Sequence, residues 1–288
     1  MISEQLRSFV EQTLGQSINS INHVSGGSIN QAAKISLSNG KTCFLKWNKT
    51  ADPRMFAVEE KGLELLASAD TDIRIPEVYA TGETDSGTGF LVQEYIVEGK
   101  SKSGSAETFG KNLAKLHRQQ NDQFGLDHNN YIGRLPQSNS WHKSWGDFFI
   151  EERMKPQIKM ATDAGKLGSS TTAHFETLYK KLPNIFPNEP ASLLHGDLWG
   201  GNYFYDDAGG ATIFDPAVYY GHREIELAFT YLFGGFSQTF YQAYEDEYPL
   251  EPNFNDRKDV YNLYPLLVHT NLFGGHYAQQ VKSIVNRF

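Results

Sequence analysis

The chain has 288 residues, of which 21% are charged and 39% hydrophobic, the balance of a globular protein large enough for two lobes. Its net charge of −8 argues against a nucleic-acid partner, because phosphate backbones are bound by basic surfaces. A single cysteine, Cys43, excludes an intrachain disulfide and the usual zinc clusters, and the lack of a signal segment or a membrane-spanning apolar run predicts a cytoplasmic protein with no membrane contact.

The N-terminal third of the chain carries strand signals and two helical patterns. Apolar residues at helical spacing predict a first helix that ends at Gly15, and the same spacing predicts a second helix over residues 55–68. Apolar runs between turn signals predict strands over residues 21–24, 32–37, 42–47, 75–80 and 90–96.

Beyond a polar, glycine-containing stretch at residues 98–105, the pattern becomes mainly helical. This composition break reads as a hinge and predicts two lobes, residues 1–97 and 98–288. Helices are predicted over residues 109–117, 145–161, 172–185, 224–233, 240–247, 260–273 and 277–287. Pro156 is expected to kink its helix, and Pro265 is expected to bend or restart another.

Two short apolar strands in the second lobe end in polar residues. One leads into His-Gly-Asp-Leu at residues 195–198, and Asn202 follows three residues later. The other ends at Asp215, and a turn signal at residues 206–210 lies between them. A hairpin-like unit is therefore expected to bring Asp197, Asn202 and Asp215 together at one end of the two strands.

This pattern is typical of phosphoryl transfer from ATP, which needs a carboxylate beside the attacking hydroxyl and oxygen ligands that hold Mg²⁺ against the phosphates. The protein-kinase catalytic loop has its His, Asp, Leu and Asn at the same relative positions, and a metal-binding Asp follows it. Asp197 is therefore the candidate catalytic residue, and Asn202 and Asp215 are the candidate metal ligands. Each residue alone is typical of a surface turn, but the set in register favours catalysis. His195 is expected to brace the loop.

Lys46 stands at the end of an apolar strand. An exposed strand-end lysine is the ordinary case, but the position matches the kinase lysine that holds the α- and β-phosphates and pairs with a glutamate on the next helix. In that helix Glu59 shares a face with Met55 and Leu63, whereas Glu60 is rotated away. A carboxylate on a buried face needs a partner, so an ion pair between Lys46 and Glu59 is predicted.

Two further segments are candidates for nucleotide binding. The turn between the first two predicted strands is either a plain β-turn or a loop whose N–H groups contact the ATP phosphates. Because it lacks the kinase pattern Gly-x-Gly-x-x-Gly, its phosphate contacts stay open. The residues of this turn are Ser25, Gly26, Gly27 and Ser28. At the end of the last predicted strand, backbone groups of Glu94 and Ile96 are expected to bind the adenine edge, unless this is an ordinary strand that leads to a surface loop.

The sequence His-Gly-Asp-Leu-Trp-x-Gly-Asn, followed by Phe-Asp-Pro-Ala, resembles the fructosamine kinase (ketosamine kinase) family. That family belongs to the protein-kinase-like small-molecule kinases, with the aminoglycoside and choline kinases. The His-Gly-Asp, Asn and Asp-Pro elements alone fit the whole group. Trp199 and the sequence Leu-Phe-Gly-Gly-Phe at residues 232–236 point to the narrower family, and the resemblance runs along nearly all of the chain.

The resemblance implies an α+β, protein-kinase-like bilobal fold, with a five-stranded antiparallel sheet and one helix in the first lobe and a mainly helical second lobe. It implies that ATP and Mg²⁺ bind between the lobes. The acceptor would be a ketosamine, which is the adduct of a sugar with lysine or a free amine. The enzyme would phosphorylate the 3-hydroxyl of its sugar. Loss of the unstable 3-phosphate would then release the amine and repair glycation. Trp199 would stack on the sugar or, alternatively, anchor the loop in the core. A monomer or homodimer is expected.

Three other functions stay open from the sequence. An aminoglycoside, choline or similar metabolite kinase would share Asp197, Asn202 and Asp215. A protein kinase is disfavoured because neither Asp-Phe-Gly nor Ala-Pro-Glu follows Asn202. A catalytically inactive nucleotide-binding module is disfavoured because Lys46 and all three polar loop residues are present.

Overall fold

A computed structural model describes residues 2–24 and 29–288, so the turn at Ser25–Ser28 lies outside the described residues. The N-terminal part contains two helices and five strands. They are α1 (Glu4–Leu14), β1 (Ile18–Val24), β2 (Gln31–Leu37), β3 (Thr42–Asn48), α2 (Arg54–Ala67), β4 (Val78–Glu83) and β5 (Gly89–Glu94).

The five strands form one antiparallel sheet, as expected, and their order in the sheet is β1-β2-β3-β5-β4. Side chains alternate between the two faces of a strand. Along β3, Leu45 and Trp47 pack with Leu6 and Val10 of α1, whereas Lys46 projects from the opposite face, on which α2 lies. The strand continues two residues past Lys46, so this lysine is an interior strand residue and not the strand end that the sequence suggested.

The remaining chain is mainly helical, as the sequence predicts. Its helices are α3 (Ser105–His117), α4 (Trp145–Phe148), a π-helical segment (Phe149–Met154), α5 (Lys155–Asp163), α6 (Ser169–Ile185), α7 (Arg223–Leu232), α8 (Gln238–Glu247), α9 (Phe254–Phe273) and α10 (His276–Val285). Its short strands are β6 (Gln120–Asn121), β7 (Asn130–Ile132), β8 (Leu135–Gln137), β9 (Ala191–Leu194), β10 (Tyr203–Tyr205), β11 (Ala211–Ile213) and β12 (Tyr219–Gly221).

Both prolines lie in helical chain that continues past them. Pro156 is the second residue of α5 and directly follows the π-helical segment, so a change of helix type adjoins this proline, where a kink was predicted. Pro265 neither ends nor restarts its helix, because α9 is a single element from residue 254 to residue 273. Residues on both sides of Pro265 are buried, and this packing outweighs the hydrogen bond that the proline lacks.

The predicted hairpin is wrong in its pairing. The strand before the His-Gly-Asp sequence, β9, pairs with β12 and β6, not with β11. The hairpin is formed instead by β10 and β11, because the chain after Asn202 adds a strand of its own that returns through the turn at residues 206–210. The loop that carries Asp197 and Asn202 therefore connects two sheets, and Asp215 follows the second one.

Backbone bonds join the first lobe to this hairpin. In the segment between α2 and β4, Arg74 donates its N–H to Ala211 O at 2.8 Å and accepts from Ile213 N at 3.1 Å. Its guanidinium also contacts Glu94 on β5, at 2.5 Å, and Asp206 in the hairpin turn, at 3.4 Å. The hairpin that precedes Asp215 is thus fixed to the end of the N-terminal sheet. Within the described ranges, no helix combines the length and apolar character needed to cross a bilayer.

Candidate active site

The loop that begins at His195 makes a turn at its second residue, Gly196, that only glycine permits. Gly196 has φ +82°, and a Cβ atom at this position would lie 2.1 Å from Ala217 O. A side chain is therefore excluded both by backbone conformation and by space. This close approach brings the start of the loop against the segment that follows Asp215, where Ala217 N donates to His195 O at 2.9 Å.

His195 braces the loop, as the sequence predicts. Its Nε2 donates to Phe214 O at 2.9 Å, and its Nδ1 accepts from Asp197 N at 3.2 Å. These partners define the neutral tautomer with the proton on Nε2. Burial lowers the pKa of His195, so the neutral form is favoured. The imidazole thus links the backbone of Asp197 to the residue that precedes Asp215.

Asn202 is bound to Asp197. Its Nδ2 donates to the main-chain oxygen of Asp197 at 2.8 Å and to Oδ2 of the same residue at 3.0 Å. Both bonds use the amide nitrogen, and no hydrogen bond to the amide oxygen is formed within residues 2–24 and 29–288. An oxygen ligand thereby stays available beside the carboxylate.

Asp215 has a left-handed backbone conformation. Its φ is +57°, which is uncommon for a residue other than glycine, and such strained conformations are frequent at functional sites. One carboxylate oxygen accepts from Lys46 Nζ at 2.6 Å, and 43% of the side chain is exposed. The residue therefore holds one contact to the N-terminal sheet and keeps a surface toward the cleft.

The predicted Lys46–Glu59 ion pair is present. Lys46 Nζ lies 2.7 Å from Glu59 Oε1, and both side chains are largely buried. Burial alone would lower the pKa of Lys46, but the charges of Asp215 and Glu59 outweigh it, so the pKa is raised and the lysine stays cationic. Glu60 faces elsewhere and accepts from Thr81 Oγ1 at 2.8 Å, as the helix phase predicts.

A glycine lets α2 approach the second lobe. A Cβ on Gly62 would lie 3.2 Å from a methyl group of Val218 and 3.4 Å from Pro216. The helix that carries Glu59 therefore packs directly on the chain that follows Asp215. This packing explains how one lysine reaches carboxylates that are far apart in sequence.

Burial raises the pKa of Asp197 well above its usual range, and the negative charge of Asp215 adds to the effect, whereas the hydrogen bond from Asn202 opposes it. The carboxyl is nevertheless partly accessible from the cleft. A group with a raised proton affinity beside an open cleft is a candidate proton acceptor.

The side chains predicted to contact phosphate, metal and acceptor line one cleft of about 510 Å³, a volume typical of small-molecule sites. The predicted residues that line it are Lys46, Glu59, Glu94, Ile96, Asp197, Trp199, Asn202 and Asp215. The described part of the chain holds no group of three His, Cys, Asp or Glu side chains arranged to bind a metal. Mg²⁺ fits this donor set, because it uses one or two protein oxygens and completes its shell with phosphates and water.

At the hinge, backbone groups are available where adenine binding is expected. Glu94 N donates to Glu77 O at 2.7 Å, so this residue can offer only its carbonyl. Ile96 lines the cleft, and its N–H forms no hydrogen bond within the described residues. The Glu94 side chain forms an ion pair with Arg74 and takes no part in the expected adenine contact.

The sequence interpretation missed Glu226, a buried carboxylate on α7. Glu226 accepts from the N–H groups of His195 at 3.1 Å and Gly196 at 2.7 Å. Its other contact is His117 Nε2 at 3.0 Å, and His117 Nδ1 in turn contacts Tyr244 OH at 2.7 Å. Burial opposes ionisation, but the bond from His117 and the neighbouring histidine and backbone groups outweigh it and lower the pKa of Glu226. A glutamate inside the apolar run of a helix was the available signal, because a buried charge needs partners.

The comparisons with known proteins agree with this geometry. The family model described as fructosamine kinase matches residues 1–288. A probable ketoamine kinase of Lactiplantibacillus plantarum is 38% identical over 94% of this chain and 95% of the relative. A chloroplastic protein-ribulosamine 3-kinase of Arabidopsis thaliana is 37% identical over 94% of this chain and 83% of the relative.

Solved structures of similar proteins have the same fold. A putative fructosamine-3-kinase from Haemophilus somnus superposes with a TM-score of 0.87 at 30% identity, covering 99% of this chain and 96% of that chain. An aminoglycoside phosphotransferase, APH(4)-Ia, in complex with AMP-PNP and hygromycin B superposes with a TM-score of 0.65 at 17% identity, covering 98% of each chain. The latter likeness shows the shared kinase-like fold alone.

Proposed function

The chain belongs to the fructosamine kinase family, and we propose that it transfers the γ-phosphoryl group of ATP to the 3-hydroxyl of the sugar in a ketosamine. The observation that carries this proposal is the convergence of Lys46, Asp197, Asn202 and Asp215 on one cleft between the N-terminal sheet and the helical part of the chain. We divide the chain accordingly into a nucleotide-binding lobe, residues 1–97, and a catalytic and substrate lobe, residues 98–288.

Asp197 is the catalytic residue. It orients the acceptor hydroxyl and accepts its proton, for which a raised pKa is suited. The transition state of phosphoryl transfer is loose, so most of the rate comes from positioning and from charge stabilisation. Asn202, His195 and Glu226 hold the loop backbone and the carboxylate in place before the substrates arrive.

The metal ligands are the Asn202 amide oxygen and the Asp215 carboxylate. Mg²⁺ bound there would neutralise charge on the transferred phosphate. Lys46 is held cationic by Glu59 and binds the α- and β-phosphates. When the nucleotide is bound, the lysine exchanges part of its contact with Asp215 for phosphate oxygens.

The remaining contacts concern the two substrates. The carbonyl of Glu94 and the N–H of Ile96 bind the adenine edge. A role for Ser25–Ser28 over the phosphates stays a prediction. Trp199 packs edge-to-face on Phe233, with ring centroids 5.7 Å apart, and also lines the cleft, so it anchors the loop while it offers a surface to the sugar.

The 3-phosphate formed on the ketosamine is unstable. Loss of this 3-phosphate regenerates the amine, so the biological role is repair of glycation. Free and protein-bound ketosamines are both candidate acceptors. The monomer or homodimer state stays a prediction, and so does the cytoplasmic location, which rests on the single, buried cysteine Cys43.

The proposal is tested by ATP consumption with ribuloselysine, fructoselysine, kanamycin and choline as acceptors in the presence of Mg²⁺. We expect turnover with the two ketosamines and none above background with kanamycin or choline. Phosphorylation of kanamycin with silent ketosamines would overturn the proposal in favour of a metabolite kinase.

The metal assignment has its own test. Asp215→Asn removes a charged ligand, so activity should fall steeply and recover only in part at high Mg²⁺ or with Mn²⁺. Glu60→Gln is the control, because Glu60 contacts Thr81 outside the cleft, and it should keep the metal dependence of the wild type. Unchanged metal dependence in Asp215→Asn would remove this residue from the metal site.

A further inference from the structure

The tetrapeptide Leu-Phe-Gly-Gly occurs twice in the chain, at residues 232–235 and 272–275. Each copy ends a helix, the first ending α7 and the second ending α9. All four glycines have positive φ, between +66° and +102°, although the C-cap residue is Phe233 in α7 and Gly274 in α9. Each turn leaves one phenylalanine, Phe233 or Phe273, at the very end of its helix.

These two phenylalanines belong to a group of neighbouring rings, here called the aromatic rim. The His269 ring lies 4.8 Å from Phe233, 5.0 Å from Tyr277 and 5.5 Å from Phe273, between ring centroids. Trp199 joins the group through its contact with Phe233 at 5.7 Å. Phe273 is 54% exposed and marks the outer edge of the rim.

The rim lies beside the candidate catalytic carboxylate. Trp199, His269 and Phe273 line the same cleft as Asp197. His269 and Asp197 also line a second, smaller pocket that adjoins it. Lys46 and the hinge lie in the N-terminal lobe, whereas the rim belongs wholly to the C-terminal lobe, the side on which the acceptor must sit.

The surroundings of the rim favour a cation. Lys46 is the sole lysine or arginine among the described residues that line the cleft. α7 has no basic residue in its last turn to offset the negative end of its dipole, whereas at the end of α9 Lys166 Nζ donates to Asn271 O at 2.6 Å. Burial lowers the pKa of His269 and so favours its neutral form, although the bond from its Nδ1 to Pro265 O, at 2.8 Å, acts in the opposite direction.

We propose that the aromatic rim binds the ammonium group of the ketosamine by cation–π contacts and thereby selects charged sugar–amine adducts over neutral sugars. This inference rests on the proposed function, because the acceptor it describes is the ketosamine. The linking nitrogen is a secondary amine, protonated at neutral pH and three bonds from the carbon that carries the reacting hydroxyl. The substituent on the nitrogen leaves the cleft past the exposed Phe273, so an amine attached to a protein surface fits as well as a free one.

The test compares two acceptors that differ only in charge. One is a fructosyl alkylamine, and the other is its ether analogue, in which oxygen replaces the nitrogen. The ratio of kcat/KM for the amine to kcat/KM for the ether is measured for the wild type and for Phe273→Leu, which changes a ring that lines the cleft. It is also measured for Phe233→Leu, since Phe233 packs on Trp199 and His269. Leucine keeps the apolar volume but has no π-face. Loss of the Phe273 ring should lower the ratio roughly 2- to 30-fold, with the value for the ether nearly unchanged.

Phe204→Leu is the matched control, since Phe204 lines the cleft but contacts Phe214 and lies outside the rim. It should leave the ratio at the wild-type value.

Equal losses for both acceptors in the rim variants, or a wild-type ratio near one, would overturn the rim proposal while the kinase assignment stands. A wild type that phosphorylates neither acceptor but does phosphorylate kanamycin would instead overturn the proposed function. Phe273→Leu alone decides the matter if Phe233→Leu fails to fold, because Phe273 is exposed.

Discussion

At the scale of residues, the site consists of one buried lysine and three carboxylates. Lys46 touches two of them, Glu59 and Asp215, and can compensate only part of their charge. Asp197 is the third, and burial raises its pKa, with the charge of Asp215 adding to the effect. The excess negative charge suits a site that receives Mg²⁺ and a cationic acceptor.

The first prediction separates chemistry from binding at Asp197. Asp197→Asn keeps the shape but loses the charge and basicity, so kcat should fall roughly 10²–10⁴-fold, the usual contribution of a positioned base. The affinity for ATP–Mg²⁺, measured by calorimetry, should stay within a few-fold of the wild type. Loss of nucleotide binding in a folded variant would make Asp197 a metal ligand. Near wild-type turnover would contradict the assignment of the catalytic loop.

The second prediction concerns the ion pair. Lys46→Met should raise the KM for ATP and lower kcat, because the phosphates lose their cation. Glu59→Gln should act in the same direction more mildly, since it removes the charge that orients Lys46. Glu60→Gln is the control and should be near neutral, because its partner is Thr81. Equal effects at the two glutamates in steady-state assays would contradict these roles.

Helical periodicity made the Lys46–Glu59 contact predictable from the sequence. The contact of Lys46 with Asp215 spans 169 positions and depends on the close approach of α2 at Gly62. Glu226 was missed for a similar reason. Its place in the apolar run of α7 signals a buried charge, but two of its partners are backbone N–H groups of another element, and these leave no trace in the pattern of side chains.

At the scale of elements, long periodic segments were predictable and short ones were not. The five strands of the N-terminal sheet and most helices have enough residues for a pattern to be read. Strands β6, β7, β8 and β12 have only two or three residues each, too few for alternation. The pairing of β9 was predicted wrongly because local turn signals cannot reveal a partner that lies far along the chain.

Close packing between α3 and α8 gives the third prediction. A Cβ on Gly110 would lie 2.2 Å from Phe240 O, so Gly110→Ala must push the two helices apart and should destabilise the protein by about 1–3 kcal/mol. Gly146 in α4 has nothing within 4 Å of a Cβ, and Gly146→Ala should stabilise by about 0.5–1 kcal/mol. Urea denaturation measures both, and effects of the same sign would contradict the packing argument.

At the scale of the whole molecule, buried ionisable side chains link stability to pH. His222 is 1% exposed, stacks on Trp145 with ring centroids 4.8 Å apart, and contacts Tyr261 OH at 3.0 Å. Burial, together with the charges of Arg257 and Arg223, lowers the pKa of His222 to about 3. The unfolded chain takes up this proton near pH 6.5, whereas the folded protein does so only near pH 3.

The fourth prediction follows from that difference. The contribution of His222 is complete above pH 6.5 and is lost as the pH falls toward 3, at about 1.36 kcal/mol per pH unit, or about 2 kcal/mol by pH 5. His222→Gln cannot take up the proton, so its free energy of unfolding should fall less steeply between pH 7 and pH 5. Urea denaturation of both proteins at several pH values measures the two slopes. Parallel curves would show that His222 is protonated equally in both states.

The crowded carboxylates have a consequence for directed evolution. Burial and, next, the charge of Asp215 raise the pKa of Asp197 in the folded state, so ionising it at neutral pH works against folding, and Asp197→Asn removes this buried charge. The variant should therefore melt at a higher temperature than the wild type. A screen that ranks variants by heat tolerance alone would then enrich proteins that have lost the proposed catalytic group, so a selection for robustness must score turnover in the same round.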